Sequence, residues 1–234
     1  MNLQGAKALV TGASEGIGRA IAAALVSEGA DVAITARRQA PLESAANEIG
    51  AWAIQGDVAS EADCIRTVES FVERHGRIDI LVNNAGFGYF APLVEMDKAK
   101  FEALYATNVV GAMVMAREAA KHFVRQNSGN LINISSTSGL RGGKMSTAYS
   151  SSKFALRGMT ECWRAELRHH DVRVMLVNPS EVQTNFGANA GGQNREFNEK
   201  KLRSEEIADA IVGALKIDGR GFVPEFSVFA TNPF

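Results

Sequence analysis

Cysteine and long apolar runs are both scarce in this sequence. The 234 residues include only 2 cysteines, Cys64 and Cys162, which is too few for a disulfide framework and typical of a reducing compartment. No apolar stretch approaches the ~18 residues that a membrane span needs, and the amino terminus Met1–Lys7 has no apolar signal core. We therefore expect a soluble, cytoplasmic protein that does not bind a membrane.

An excess of either charge is also missing. The 25 basic and 26 acidic residues give a net charge of −1, so electrostatics gives no reason to expect nucleic acid or an anionic membrane as a partner. No metal-ligating cluster is visible in the sequence, and His169 and His170 are expected to lie on the surface near the end of a helix. Small molecules are the expected ligands, with no metal.

Short apolar runs alternate with amphipathic helical stretches along the whole chain. This pattern is typical of a parallel sheet with helices on both faces, and 46% hydrophobic residues suffice for one large α/β domain over 1–234. The predicted strands are Ala6–Thr11, Asp31–Ala36, Ala51–Gln55, Ile80–Asn83, Asn130–Ser135, Arg173–Asn178 and Gly221–Phe229. The predicted helices lie near 17–28, 41–49, 61–75, 98–126, 150–170 and 204–216. The irregular segment 180–203 follows a strand, where ligands bind in such sheets.

Three glycines directly follow the first predicted strand and open a helix. Gly12, Gly16 and Gly18 can permit a tight turn and bring backbone close to a pyrophosphate at the positive end of that helix. A glycine triplet alone would be weak evidence, because an ordinary strand-to-helix turn can contain one. Its position between a strand and a helix predicts a dinucleotide site.

The end of the second strand predicts which dinucleotide binds. An acidic residue there would hold the ribose 2′-OH of NAD, whereas an arginine would accommodate the 2′-phosphate of NADP. Ala36 occupies the acidic position and Arg37 and Arg38 follow, so we predict NADP(H) with Arg37 as the chief contact. The alternative is that both arginines begin a solvated loop. Glu15 argues against NADP, because an acid in the glycine loop could repel the phosphate.

A tyrosine and a lysine stand four residues apart near the middle of the chain. Tyr149 and Lys153 would lie on one helical face, where the phenol could act as a general acid and the ammonium could favour phenolate. A fall in the phenol pKa from ~10 to ~7 would need about 4 kcal/mol of differential stabilisation. We expect such a fall in the tyrosine pKa only in a sheltered pocket with a cationic nicotinamide or the lysine close by.

These motifs together resemble a classical short-chain dehydrogenase/reductase over nearly the full length. The resemblance rests on T-G-A-S-E-G-I-G at 11–18, N-N-A-G at 83–86 and Y-S-S-S-K at 149–153. It implies a single Rossmann-type doubly wound domain whose seven-stranded parallel sheet has the order 3-2-1-4-5-6-7, with helices on both faces. It also implies a catalytic serine thirteen residues before the tyrosine, which is Ser136, and a fourth catalytic residue, Asn108, whose backbone carbonyl positions a water beneath Lys153.

The same resemblance implies a set of cofactor contacts. Lys153 would also bind the nicotinamide ribose, Asp57 would accept from the adenine amine, and N-P-S-E-V-Q-T at 178–184 would close over the nicotinamide. Ser180 replaces the usual glycine of that segment, so a serine there would be strained if the position needs positive φ. The implied cofactor-binding residues are Gly12, Ser14, Gly16, Ile17, Gly18, Arg37, Arg38, Asp57, Val58, Asn84, Ala85, Gly86, Tyr149, Lys153, Pro179, Val182 and Thr184.

The predicted function is NADPH-dependent reduction of a ketone or aldehyde, reversibly, with Tyr149 as general acid and base. One alternative is 3-oxoacyl-acyl-carrier-protein reductase-like activity, although the tail 221–229 lacks the glycine-rich V-D-G-G segment common in those enzymes. Another is a non-catalytic NADPH-binding regulatory protein, which an intact catalytic set disfavours. The resemblance also implies a homodimer or homotetramer built on helices around 101–125 and 150–168. Sugar-nucleotide epimerases share the tyrosine and lysine but are longer.

Overall fold

A computed structural model describes residues 1–189 and 197–232. Its described residues form seven parallel strands in one sheet of order β3-β2-β1-β4-β5-β6-β7. The predicted fold class is confirmed, including the strand order. The strands are β1 (Lys7–Thr11), β2 (Asp31–Ala36), β3 (Trp52–Gln55), β4 (Ile80–Asn83), β5 (Gly129–Ile134), β6 (Val172–Pro179) and β7 (Glu225–Val228).

Eight α-helices in the described ranges connect and cover these strands. They are α1 (Gly16–Ser27), α2 (Gln39–Ile49), α3 (Glu61–His75), α4 (Lys98–Tyr105), α5 (Ala112–Gln126), α6 (Thr147–Leu167), α7 (Phe186–Asn189) and α8 (Ser204–Lys216). Strand β7 begins four residues later than predicted, and α7 was not predicted. Within the described ranges, no helix has both the length and the apolarity needed to cross a membrane.

Two buried clusters lie on opposite faces of the sheet. In β1, Ala8 and Val10 belong to the cluster that includes residues of α1, α2 and α8, while Leu9 belongs to the other, with Phe71 of α3 and Phe123 of α5. Successive strand side chains point to opposite faces, so both faces of β1 are apolar. Burial on both faces is the physical reason that these strands read as continuous apolar runs rather than alternating ones.

The helix predicted over 98–126 is interrupted at its centre. Between α4 and α5 the chain makes a π-helical turn, Ala106–Gly111, which sequence periodicity did not predict. Gly111 ends this turn against the loop after β3, because a Cβ at Gly111 would lie 2.5 Å from the carbonyl oxygen of Val58. The turn places Asn108 in a buried position beside the loop after β4.

Candidate active site

The glycine loop between β1 and α1 packs directly on the loop after β4. Gly12 has φ +63°, and a Cβ there would lie 2.7 Å from the Cα of Ala85. A Cβ at Gly18 would lie 2.4 Å from Nδ2 of Asn84. Both positions therefore require glycine, because any larger residue would push the two loops apart.

Hydrogen bonds fix the same two loops to each other. Thr11 Oγ1 accepts from the backbone N–H groups of Asn84 and Ala85, each at 3.0 Å. Nδ2 of Asn84 donates to the carbonyl oxygens of Thr11 at 2.9 Å and Gly12 at 3.0 Å. The sequence analysis did not assign a role to Thr11, although it is the first letter of the glycine motif. Its hydroxyl positions the loop that would face a dinucleotide.

The positive end of α1 is the natural place for a pyrophosphate. Its N-cap residue, Glu15, makes no side-chain capping bond to the helix within the described part of the chain, and the first turn carries no acidic residue. Ser14, Gly16 and Ile17 lie half-buried at this end. Thr184, in the segment after β6, lies close to this end of the helix: its Cγ2 would be 3.4 Å from a Cβ on Gly16. These glycine positions fit a dinucleotide, because they leave backbone rather than side chains at the helix end.

Glu15 lies between the predicted phosphate side and the segment after β6. Its carboxylate accepts a hydrogen bond of 2.8 Å from Nδ2 of Asn185 and forms an ion pair with Arg38 at 3.7 Å. Arg37 is exposed, and its backbone carbonyl accepts from Gln55 at 3.0 Å. The acid that argued against NADP therefore has a cationic neighbour, which offsets part of its repulsion toward a phosphate.

Asp57 and Val58 occupy the loop after β3. The carboxylate of Asp57 accepts from the backbone N–H of Ala59 at 3.0 Å, while its own N–H donates to Asp63 at 2.9 Å. The carbonyl of Val58 accepts from Cys64. Asp57 thus also forms a local turn, the structural role that an aspartate after a strand most often has. Burial raises the pKa of the Cys64 thiol to about 11, consistent with a packing residue.

Ser136 and Tyr149 meet beyond the end of β5. Ser136 precedes a short 3-10 turn, Thr137–Gly139, and its Oγ accepts from the N–H of Ser138 at 3.1 Å. Its hydroxyl also lies near the Tyr149 phenol and lowers the pKa of that phenol. Ser135 faces the other way, toward the backbone carbonyl of Lys153 at 3.5 Å. The strand alternation therefore separates the two serines.

Lys153 is buried one turn of α6 beyond Tyr149. Its Nζ donates to the carbonyl oxygen of Ile134 at 2.8 Å and lies 5.7 Å from the centre of the Tyr149 ring. Burial lowers the pKa of Lys153 to about 8. Burial raises the pKa of Tyr149 to about 12, although the neighbouring Ser136 hydroxyl opposes this rise, so the protein groups alone do not produce the expected fall. Desolvation is the largest cause, because burial penalises the phenolate directly.

Asn108 joins the π-helical turn to the rest of the site. Its Oδ1 accepts from the N–H of Phe87, and its Nδ2 donates to the carbonyl of Phe87, both at 3.0 Å. Nδ2 also lies 3.2 Å from Ser152 Oγ. A Cβ at Gly86 would be 3.1 Å from Asn108 Oδ1 and 3.7 Å from Lys153 Nζ. Gly86, Asn108 and Lys153 therefore border one small space.

The segment after β6 is held by backbone hydrogen bonds. β6 ends at Pro179, and the N–H of Ser180 donates to Val228 of β7 at 2.9 Å. Ser180 is absent from the described residues with positive φ, so replacing the usual glycine causes no left-handed strain. Val182 forms an isolated parallel bridge with Leu202. Residues 190–196 of the predicted substrate loop lie outside the described residues.

Two phenylalanines pack against Tyr149, and they come from the segments 87–91 and 184–203, which the sequence predicts to shape the substrate pocket. The ring centres of Phe90 and Tyr149 are 5.5 Å apart, and those of Phe186 and Tyr149 are 5.3 Å apart. Phe90 lies in the loop after β4 and Phe186 begins α7. No periodic pattern could have identified them, because they come from two irregular segments that are distant in the sequence.

Comparisons with known proteins give matches over most of this chain. Residues 6–195 match the short chain dehydrogenase family. A sorbitol dehydrogenase from Cereibacter sphaeroides is 38% identical over 185 residues, which cover 78% of this chain and 72% of that protein. An alcohol dehydrogenase from Thermococcus sibiricus, complexed with 5-hydroxy-NADP, is 29% identical with a TM-score of 0.87 over 96% of each chain. A metagenomic short-chain oxidoreductase in complex with NADP is 34% identical with a TM-score of 0.85, covering 99% of this chain and 100% of that one.

Proposed function

The chain belongs to the short-chain dehydrogenase family, and from this premise we propose that it is an NADPH-dependent reductase of a ketone or aldehyde. The observation that carries the proposal is the meeting of Ser136, Tyr149 and Lys153 beside Gly86. A hydroxyl, a phenol and an ammonium around one small space form a set that can bind and protonate a carbonyl oxygen.

NADP(H) is the cofactor that the glycine loop and Arg37 would hold. When bound, it supplies the hydride for the carbonyl carbon. The backbone at Gly12 and Gly16 and the positive end of α1 would bind the pyrophosphate, and Arg37 and Arg38 would contact the 2′-phosphate. The NADP complexes of two similar structures support this choice over NAD.

Three further parts of the chain complete the proposed cofactor site. Asp57 and Val58 would border the adenine, Asn84 and Ala85 would shape the floor with Gly86, and the segment after β6 would cover the nicotinamide. Each of these parts lies at the carboxyl end of a strand in the observed sheet, where doubly wound folds bind ligands. The contacts there would be Pro179, the last residue of β6, and Val182 and Thr184 beyond it.

Tyr149 is the proposed proton donor. Its pKa of about 12 keeps it a neutral phenol at physiological pH, which is the form needed to protonate a developing alkoxide. Ser136 would donate a second hydrogen bond to that oxygen, where the charge increases during reaction. Lys153, with its pKa lowered to about 8, can hold or release a proton near neutral pH and so could reprotonate the tyrosine.

Asn108 is proposed to act through its neighbours. It fixes the backbone of Phe87 and lies close to Ser152, so it keeps the loop after β4 at a constant distance from Lys153. The water that the family resemblance places beneath the lysine would connect Lys153 to solvent. This arrangement would return a proton to Tyr149 after each turnover.

The first test is titration with NADPH and NADH, followed by assays of ketones, aldehydes and 3-oxoacyl thioesters with the preferred cofactor. Turnover of a carbonyl with NADPH supports the proposal. Tight NADPH binding without turnover across the panel would favour the regulatory alternative. The similarity to a sorbitol dehydrogenase also favours alcohol oxidation by the same residues in reverse, so polyols with NADP⁺ belong in the panel.

We also propose that the protein forms a homodimer or homotetramer through α5 and α6. A groove of 510 Å³ lies between these helices, with Met113, Val124 and the half-buried Trp163 among its lining residues. Apolar surface of this kind on a helix pair can be covered by the same surface of a second copy. Light scattering tests the proposal, and a monomer at micromolar concentration would contradict it.

A further inference from the structure

The wall of the space beside Tyr149 is aromatic on two sides. The rings of Phe90 and Phe186 are tilted against the tyrosine ring by 53° and 56°, between the stacked and edge-to-face extremes and at centre-to-centre distances typical of aromatic pairs. Because the two phenylalanines come from different segments, their convergence on one phenol is a tertiary feature. It gives the proposed proton donor a specific apolar neighbourhood.

Gly88 lies in contact with both phenylalanine rings. A Cβ on this buried glycine would lie 2.6 Å from Cε2 of Phe90 and 3.0 Å from Cζ of Phe186. Both rings therefore rest against its bare backbone, and any side chain there would displace at least one of them. Gly88 allows the rings to approach each other next to Tyr149.

Backbone contacts hold each phenylalanine in place. The N–H of Ala91 donates to the carbonyl of Met145 at 2.9 Å, which links the Phe90 loop to the segment that precedes α6. Met145 has φ +64°, a strained conformation for a non-glycine residue that persists mainly at functional sites. The N–H of Phe186 donates to Thr184 Oγ1 at 3.2 Å. Each phenylalanine therefore lies in a segment that is held by a backbone hydrogen bond.

Part of this aromatic surface remains accessible. Phe90 is 40% exposed and Phe186 is half-buried, whereas core phenylalanines such as Phe71 are fully buried. An uncharged ring that covered this surface would gain roughly 25 cal/mol per Å² of apolar area removed from water. A carboxylate in the same place would lose hydration against the phenylalanine rings.

Building on the proposed reductase function, we propose that the substrate is an uncharged aryl carbonyl whose ring packs against Phe90 and Phe186 while its oxygen faces Tyr149. A planar ring suits this site better than a saturated ring of similar size, because it can make offset or edge-to-face contacts with both phenylalanines.

Matched aldehydes test the proposal by turnover with NADPH. Benzaldehyde should have a kcat/KM about two- to tenfold above cyclohexanecarboxaldehyde, which has a similar size but no aromatic ring. It should also exceed 4-carboxybenzaldehyde, which adds a charge. An equal or higher kcat/KM for the saturated, charged or polyhydroxylated compounds would overturn the proposal.

Variants of the two phenylalanines test whether these residues cause the preference for benzaldehyde. Phe90→Leu and Phe186→Leu keep an apolar side chain but remove the ring, so each should reduce the benzaldehyde preference toward unity. Phe229→Leu is the control, because Phe229 is 63% exposed and is not one of the rings that pack against Tyr149. If the preference survives in Phe90→Leu and Phe186→Leu, the inferred pocket is wrong.

A binding measurement separates this proposal from the reductase proposal. Calorimetry compares benzyl alcohol with cyclohexylmethanol on the protein saturated with NADP⁺. Tighter binding of benzyl alcohol, lost in Phe186→Leu, supports the aromatic pocket even if no carbonyl is turned over. Equal binding by the two alcohols overturns the pocket, whatever the turnover results show.

Discussion

The ammonium of Lys153 is hydrogen bonded to the backbone carbonyl of Ile134 at 2.8 Å, in the interior of the protein. A carbonyl dipole stabilises the charge only partly, and burial lowers the lysine pKa from 10.5 to about 8. Because the unfolded chain then binds more protons than the folded chain between these two pKa values, stability should rise with pH in that window. The protein therefore retains a lysine that destabilises its folded state at neutral pH.

Lys153→Met should remove this pH dependence. We expect the free energy of unfolding of the unmodified protein, relative to the variant, to rise by about 2 kcal/mol between about pH 7 and about pH 9.5. Urea denaturation without cofactor at the two pH values measures the difference. Lys144→Met, which changes an exposed lysine, is the control and should leave the rise unchanged. The same slope in Lys153→Met as in the unmodified protein would contradict the prediction.

Tyr149→Phe should abolish reductase turnover while NADPH still binds. The change removes one oxygen and leaves the ring that contacts Phe90 and Phe186, so the site should keep its shape. Loss of general acid catalysis corresponds to about 100- to 10,000-fold in kcat. Tyr105→Phe, in α4, is the matched control. Full activity of the Tyr149 variant would eliminate the proposed mechanism, and loss of NADPH binding would show that the phenol holds the cofactor instead.

Arg37→Asp should shift the cofactor preference toward NADH. A charge-assisted contact with the 2′-phosphate would be lost and replaced by repulsion, so the Kd for NADPH should rise at least about tenfold. Fluorescence titration with both cofactors measures the change. Arg220→Asp is a control, because Arg220 is exposed near the carboxyl end of the described chain. An unchanged preference in Arg37→Asp would mean that another group selects the cofactor.

Gly12→Ala should destabilise the protein by at least about 2 kcal/mol, because the new Cβ would meet the backbone of Ala85 and φ is positive. Gly213→Ala offers the opposite case. Gly213 lies in α8 with no neighbouring atom within 4 Å of its added Cβ, so this change should stabilise by up to about 1 kcal/mol. Chemical denaturation of both variants checks the contrast; equal effects would show that the close loop contact is not maintained.

The sheet could be predicted because burial on both faces leaves a strong signal. Strands such as Ile80–Asn83 are short and wholly buried, and a strand of that kind appears in sequence as an apolar run between helical stretches. The order of the strands came from the family resemblance rather than from periodicity. The beginning of β7 was placed too early, since its residues are only partly buried and carry a weaker pattern.

The electrostatics of the site could not be predicted from spacing. A separation of four residues places Tyr149 and Lys153 on one helical face, but it does not show how deeply both are buried. Desolvation depends on the neighbours that tertiary packing supplies, and here it reverses the expected direction of the tyrosine pKa. The loops that hold Phe90 and Phe186 could be predicted to shape the pocket, but the packing of both rings on Tyr149 could not, for the same reason.

The π-helical turn at Ala106–Gly111 places a site residue, Asn108, at the start of a helix whose other residues belong to the core. Such a turn holds one residue more than an α-helical path of the same course. Deleting one residue there would restore a continuous α-helix with the same course, so Phe123 would stay in the core while Asn108 would lose its position beside Phe87. Insertions and deletions in this stretch should therefore be far rarer among functional descendants of the chain than substitutions.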